Sequence, residues 1–354
     1  MKKIVLTGGG TAGHVTANIA LIPYLKKAGY EISYFGSYTG IEKTLIEPLD
    51  VTYYGISTGK LRRYFSLDNF KDPFKVMKGY FEAKKYLKSI RPDIIFSKGG
   101  FVTVPVIKAA ASLKIPCILH ESDMTPGLAN KLCIPSAKKV CCTFPETLNF
   151  LPKNKAVFTG APIRDELFNG SIENALAFCH FDNNKKILLV MGGSLGAKAI
   201  NDAIRGILDL LLEDFNIIHL CGKGKLEKSL LNKGGYQQFE YVNNEMKDFL
   251  TCADLIISRA GSNSICEFLA LKKLNLLIPL SANASRGDQI LNAKSFEKSG
   301  YSKVLLEEDV TSESLLAAIK ELLQSGEEYM NAMNSSSQKN AIEMIMQLIK
   351  EVEK

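Results

Sequence analysis

Gly8, Gly10 and Gly13 stand in the spacing G-x-G-x-x-G after Ile4-Val5-Leu6-Thr7, and His14 follows the last of them. Glycines between a strand and a helix let the backbone approach a ligand, and the unpaired amides of the helix start favour anionic or polar groups. A second loop, Gly192-Gly193-Ser194-Leu195-Gly196, follows Ile187-Leu188-Leu189-Val190. Its Ser194 adds a hydroxyl to the amides, which suits a diphosphate without any metal. No Gly-Lys-Ser/Thr follows either loop, so P-loop ATP hydrolysis is not expected. A nicotinamide enzyme would want an acidic residue closing the second strand to grip the ribose. That strand ends Tyr34-Phe35-Gly36-Ser37, with Glu31 at its other end, so a dehydrogenase is not expected either. A glycine turn that merely packs helix on strand is the alternative for each loop.

Metal and disulfide chemistry have no pattern to rest on. The four histidines form no HxxxH pair, and there is no Asp-x-Asp. None of the eight cysteines is spaced as CxxC, and the adjacent Cys141 and Cys142 read as buried small hydrophobes. No metal and no cofactor is expected.

The elements that must carry these loops are short apolar runs alternating with helical patterns, the mark of parallel α/β domains. In the first half the strands are expected at 3–7, 31–35, 51–54, 93–96, 117–119 and 139–142, with helices at 14–28 and 73–90 among those between. The second half repeats the scheme at 186–191, 216–220, 240–242, 255–258 and 274–278. The expected fold class is α/β: two doubly wound, Rossmann-like parallel-sheet domains, 1–161 and 162–354, with the last helix able to pack back on the first. The boundary falls at the Gly160-Ala161-Pro162 turn, and ligands are expected at the carboxyl ends of the strands, in a cleft between the domains.

A chain of 354 residues suits two such domains, and 46% hydrophobic with 23% charged residues excludes disordered and fibrous classes. The most apolar stretch, Val102 to Leu119, is cut by Lys108 and Lys114, so no spanning helix is expected. The amino end lacks the apolar core of a signal peptide, which predicts a cytosolic chain. The net charge of +7 is unevenly placed: Lys60 to Arg91 holds ten basic and three acidic residues, the whole excess. No reading helix or aromatic platform accompanies that charge, so nucleic acid is not the expected partner.

Taken in order, the motifs resemble those of the MurG family of N-acetylglucosaminyltransferases. Gly9-Gly10-Thr11-Ala12-Gly13-His14 is similar to its GGTGGH loop, Gly99-Gly100-Phe101 to GGY, and His120-Glu121 with Gly127-Leu128-Ala129-Asn130-Lys131 to HEQN…GLTNK. Ala161-Pro162-Ile163-Arg164 resembles NPVR, and Gly192 to Ala197 resembles GGSQGA. Ser258-Arg259-Ala260-Gly261 with Glu267 resembles RSGA…E, and Asp288-Gln289 with Asn292-Ala293 resembles QQ…NA. Asp123, Ala161, Leu195 and Asp288 depart from the family pattern.

The resemblance implies a GT-B fold, no catalytic metal, and transfer of N-acetylglucosamine from UDP-N-acetylglucosamine to the C4 hydroxyl of lipid I, the undecaprenyl-linked N-acetylmuramyl-pentapeptide. It implies that Glu267 grips the ribose hydroxyls, that Val242 pairs its backbone with uracil, that Ser194 and Arg164 face the diphosphate, and that Gln289 reads the sugar. Thr11, Gly13 and Asp123 join the donor-binding set. An inverting transfer needs a base: His14 is the first candidate, a histidine being a side chain with near-neutral pKa, and Glu121 is the second. Other GT-B enzymes, such as a diacylglycerol glucosyltransferase or a UDP-N-acetylglucosamine epimerase, are the alternative.

A lipid-linked acceptor implies a peripheral protein on the cytoplasmic face of an anionic membrane. Phe74, Met77 and Phe81, spaced i, i+3, i+7, share one helical face, interleaved with Lys75 and Lys78. Arg62 and Arg63 flank Leu61, Tyr64 and Phe65 just before. Together these are expected to form the membrane patch.

Overall fold

The computed structural model describes residues 1–59, 68–193, 196–282, 287–336 and 341–353, giving the backbone alone for 68–71. It separates into two compact units, which divide after Arg164.

The first unit runs β1 (Lys2–Thr7), α1 (Ala12–Lys27), β2 (Tyr30–Ser37), α2 (Ile41–Ile46), β3 (Thr52–Ile56), α3 (Asp68–Ile90), β4 (Ile94–Ser97), α4 (Thr103–Ser112), β5 (Cys117–Glu121), α5 (Leu128–Cys133), β6 (Lys139–Cys142) and β7 (Ala156–Phe158). The strands form one sheet in the order β3-β2-β1-β4-β5-β6-β7, parallel in every pair. Its central strands are apolar on both faces because helices cover both. Val5, Ile95 and Leu119 pack with Ala83 and Leu87 of α3 and Val106 of α4. Their neighbours Ile4, Leu6 and Phe96 point the other way, onto Leu21 and Leu25 of α1.

The second unit runs α6 (Ile172–Cys179), β8 (Lys186–Met191), α7 (Lys198–Gly206), α8 (Leu208–Asp214), β9 (Phe215–Leu220), β10 (Tyr236–Phe239), α9 (Met246–Cys252), β11 (Leu255–Ser258), α10 (Ser262–Ala270), β12 (Leu274–Leu277), α11 (Asp288–Lys298), β13 (Lys303–Val304), α12 (Ser312–Gln324) and α13 (Gly326–Asn334). Its sheet has the order β10-β9-β8-β11-β12-β13, again parallel. Leu188, Val190 and Ile257 pack against Ile200 and Ile204 of α7 and Ile319 of α12.

The closing helix, α14 (Ala341–Val352), belongs to the first unit. Ile345, Leu348 and Ile349, one stripe of its surface, complete the core beneath β1. Beyond it, Glu353 accepts a hydrogen bond from Tyr30 Oη and pairs with Lys2.

Three expected elements shift. The strand expected at 240–242 lies at Tyr236–Phe239, where Tyr236 faces Ile217 and Phe239 faces Leu220 of β9. Cys221 N–H donates to the Phe239 carbonyl and closes that ladder, so the chain leaves the sheet before Val242. Helix α3 starts at Asp68, with Pro73 inside it. Arg164, expected in the second domain, belongs to the first unit.

Candidate functional site

In the first sheet the strand order reverses between β1 and β4, the place where doubly wound folds bind ligands. The loops following those two strands meet there. Gly9 N–H donates to the Gly99 carbonyl at 3.3 Å, and Lys98 N–H to the Thr7 carbonyl at 2.9 Å. Gly100 has φ +88°, and a Cβ on it would stand 2.1 Å from the Gly9 oxygen. Glycine is required there by both conformation and contact.

His14 lies in the first turn of α1, half-buried, with Nδ1 3.0 Å from the Gly9 carbonyl oxygen and 3.2 Å from Thr11 Oγ1. A carbonyl only accepts, so Nδ1 carries the proton and the lone pair lies on Nε2. That tautomer can take a proton. Gly13 precedes it in the same turn, its carbonyl accepting from Thr16 Oγ1 at 3.2 Å.

Beneath the loop lies a residue the sequence reading missed. Glu42, on α2, is 1% exposed. Its Oε1 accepts from Ser37 N at 2.9 Å and Ser37 Oγ at 2.6 Å, and its Oε2 accepts from Gly10 N at 3.3 Å. An acid in a short surface-like run looks like any solvated helix residue; the only local hint is the pair of glycines, Gly36 and Gly40, before it.

Glu121 and its neighbour are locked into the fold. Both Glu121 carboxylate oxygens are engaged: Oε1 accepts from Asp123 N at 3.0 Å, and Oε2 accepts from Gly127 N at 3.0 Å and Asn130 Nδ2 at 2.8 Å. Burial pushes its pKa up, against the pull of the Asn130 hydrogen bond. The carboxylate thus shapes the 122–127 loop that carries Asp123. His120 is fully buried: Lys98 Nζ donates to its Nδ1 at 2.9 Å, and its Nε2–H donates to the Gly160 carbonyl at 2.9 Å. Burial, then the Lys98 charge, hold its pKa well below the usual histidine value.

In the second sheet the order reverses between β8 and β11. Of the loop after β8, Ser194 and Leu195 lie outside the described residues. Gly196, with φ +67°, would bring a Cβ within 1.9 Å of the Cys221 carbonyl oxygen. Asn201 Nδ2 donates to that same carbonyl at 2.9 Å, and its Oδ1 accepts from His219 Nε2 at 3.0 Å. His219 Nδ1 accepts in turn from Tyr236 Oη at 2.8 Å. Burial, helped by Arg205, lowers the His219 pKa to about 3. The neutral ring is therefore scaffolding for this loop.

After β11, Gly261 caps the start of α10, which carries Glu267 half-buried on its second turn. Asn292 of α11 donates to the Ala260 carbonyl at 3.4 Å, joining α11 to this loop. The segment after β12 is fastened by three side chains. Arg259 donates to the Ile278 and Pro279 carbonyls at 3.1 and 3.3 Å and pairs with Glu307. Glu307 Oε2 accepts from Ser281 N at 3.1 Å, and Gln289 Oε1 accepts from Leu280 N at 3.0 Å. That bond uses one lone pair of the Gln289 amide oxygen and orients its NH2 group, which can only donate. Val242 is buried, in irregular chain past the end of β10.

The apolar stripe of α3 faces outward. Phe74, Met77 and Phe81 are 75%, 60% and 62% exposed, and Leu128 and Leu132 of α5 add to the surface. Between α3, α4 and α5 runs an apolar groove of about 490 Å³, lined by Val76, Met77, Tyr80, Phe81, Phe101 and Val104 among others. Lys75 pairs with Asp72 at 3.5 Å and Lys78 with Glu82 at 3.8 Å. Arg62 and Arg63 lie outside the described residues. Among the described residues, no helix is long and apolar enough to cross a membrane.

Two doubly wound parallel sheets in tandem, each with a glycine loop where its strand order reverses, define the class of GT-B glycosyltransferases. Residues 4–142 match the glycosyltransferase family 28 N-terminal domain and residues 187–349 the glycosyltransferase family 28 C-terminal domain, so the chain belongs to glycosyltransferase family 28. A Lachnospira eligens protein named UDP-N-acetylglucosamine--N-acetylmuramyl-(pentapeptide) pyrophosphoryl-undecaprenol N-acetylglucosamine transferase is 61% identical over 351 residues, 99% of either chain. A Clostridium perfringens protein of the same name is 56% identical over 348 residues, 98% of either chain. The crystal structure of Acinetobacter baumannii MurG superposes with a TM-score of 0.77 at 28% identity, covering 99% of this chain and 100% of its own. A Neisseria meningitidis UDP-GlcNAc 2-epimerase shares the fold, with a TM-score of 0.70 at 14% identity over 99% of this chain and 100% of its own.

Proposed function

We propose that this chain is an inverting hexosyltransferase that moves N-acetylglucosamine from UDP-N-acetylglucosamine to the C4 hydroxyl of undecaprenyl-linked N-acetylmuramyl-pentapeptide, the lipid II-forming step of peptidoglycan synthesis. The observation that carries this reading is the end-to-end likeness, 56–61% identical, to proteins named for that transfer. The acceptor oxygen attacks the anomeric carbon, the bond from that carbon to the UDP oxygen breaks, and UDP leaves with the electron pair. The acceptor proton passes to His14 Nε2, the atom that the Gly9 hydrogen bond leaves basic. Glu121 does not act as the base in this reading, because its carboxylate already holds three donors.

On the donor side, Glu267 takes the two ribose hydroxyls, for which a carboxylate has two acceptor oxygens. Val242 offers its backbone to uracil, Ser194 and Arg164 face the diphosphate, and the Gln289 NH2 group donates to the sugar. Thr11, Gly13 and Asp123 complete the set. The exposed Phe74, Met77 and Phe81 enter the headgroup region of an anionic membrane, with Lys75, Lys78, Arg62 and Arg63 facing its phosphates.

The test is UDP release from UDP-N-acetylglucosamine by the purified chain. The reading requires release to depend on the lipid-linked muramyl-pentapeptide. Release with diacylglycerol instead, or conversion of the donor without any acceptor, would replace it with a glucosyltransferase-like or epimerase activity.

A further inference from the structure

We propose that Glu42 is a positioning residue of this transfer: its buried carboxylate braces the Gly9–Gly10 turn from below and, through the Gly9 carbonyl, sets the ring of His14. The proposal rests on the reading of His14 as the base.

The carboxyl group sits in a chamber made by glycines. A Cβ on Gly9 would stand 2.7 Å from Glu42 Cδ, one on Gly40 2.3 Å from its oxygens, and one on Gly36 2.6 Å from Cγ. Three chain segments have thus given up side chains around a single acid. Gly9 is the link, since the residue that abuts the carboxyl also supplies the carbonyl that holds His14 Nδ1. The next amide, Gly10 N–H, binds the carboxylate itself. The rest of the frame is fixed as well. Tyr53 Oη donates to the Ser37 carbonyl at 2.6 Å, Tyr34 Oη to the Gly8 carbonyl at 2.8 Å, and Asn18 Nδ2 to Tyr34 Oη at 3.2 Å.

Stability alone gives little reason for an acid here. Burying a carboxylate costs free energy even when it is hydrogen-bonded, and a well-packed apolar group often does as well or better. What only a carboxylate supplies is acceptors for Ser37 N–H, Ser37 O–H and Gly10 N–H at once. A glutamine in its place would turn an NH2 group toward at least one of those donors. Glu42→Gln should therefore keep the shape of the site and lose the brace.

The experiment is steady-state transfer by the full chain, comparing Glu42→Gln, His14→Ala and the double variant. Glu42→Gln should lower kcat about tenfold to a hundredfold, the scale of a misplaced catalytic group. The donor KM should stay within about twofold, because Glu42 holds Ser37 and Gly10, neither of which is assigned to the donor. The double variant should be no slower than His14→Ala, since Glu42 acts through that ring. Wild-type kcat in Glu42→Gln, or losses that multiply in the double variant, would overturn the proposal. If His14→Ala itself stays near wild type, the base assignment fails on its own. A slow Glu42→Gln beside it would show a brace that does not work through His14, which also overturns the proposal. Should Glu42→Gln fail to fold, Ser37→Ala removes one of the three donors and keeps the charge. It should lower kcat several-fold at unchanged donor KM, and a wild-type kcat there would equally refute the brace.

Discussion

His14 Nδ1 stands 3.0 Å from the carbonyl oxygen of Gly9, five residues earlier in the same loop. This one contact selects the tautomer, orients the ring and ties both to a turn that only glycine can make. Histidine catalysts are commonly held in this way, by a hydrogen bond at the nitrogen that does not react.

Replacing His14 with Ala should lower kcat by about 10² to 10⁴ while UDP affinity stays near wild type, the usual size of a lost general base. Rates over a pH series with saturating donor measure it. A variant within a fewfold of wild type would pass the base role to water or another group.

Glu267→Ala should weaken donor binding by about 1–3 kcal/mol, roughly fivefold to 150-fold, as a charged partner is taken from the ribose hydroxyls. Calorimetric titration with UDP reads this directly. Unchanged affinity would retire the ribose assignment.

Glu121→Ala should act on the fold more than on the chemistry. It leaves the amides of Asp123 and Gly127 and the Asn130 side chain without their acceptor, at a cost of about 2–4 kcal/mol. Thermal melting should show the loss. Glu121→Gln, which keeps one acceptor oxygen, should melt between the two and retain a kcat within a fewfold of wild type.

The triple change of Phe74, Met77 and Phe81 to Ser should reduce binding to anionic vesicles, since each ring or thioether withdrawn from the headgroup region gives up about 1.5–3 kcal/mol of apolar burial at most. Replacing Arg62, Arg63, Lys75 and Lys78 with Gln should weaken it further and flatten its salt dependence, at about 1 kcal/mol per charge. Donor affinity in detergent should hardly change in either variant. Undiminished vesicle binding by both would move the membrane face elsewhere.

Acid should destabilise the chain through its buried histidines. The His219 pKa falls from 6.5 to about 3 on folding, so the unfolded chain binds the proton first. Its stabilising effect is fully present above pH 6.5 and is lost as pH drops toward 3, at up to about 1.4 kcal/mol per pH unit. His120, shifted in the same direction, adds to the slope. Melting temperatures between pH 7.5 and 4.5 should fall less steeply for His219→Asn than for wild type; parallel curves would count against the assignment.

How much of this was legible in the sequence follows from how local each signal is. Strand, glycine loop and helix succeed one another within about fifteen residues, so the starts of both units could be read from Ile4 to His14 and from Ile187 to Gly196. Buried parallel strands are apolar throughout, and that pattern does not depend on which strand lies beside which. The strand after β9 was misplaced by four residues because its ladder is defined by the partner, Ile217 to Leu220, and hardly by its own mixed sequence Tyr-Gln-Gln-Phe. Periodicity put Phe74, Met77 and Phe81 on one face of a helix, but whether such a face meets a core or solvent depends on what the fold lays against it. The same holds for charge. Glu121, beside His120, reads as a second candidate base until Lys98, Gly160, Gly127 and Asn130, distant in sequence or across a loop, are seen to occupy both side chains. Apart from Gly36 and Gly40 before it, nothing in the run around Glu42 distinguishes it from a solvated acid. Its burial among Gly9, Gly36 and Gly40 comes into being only when β1, β2 and α2 close together, because desolvation is a property of neighbours and not of the residue.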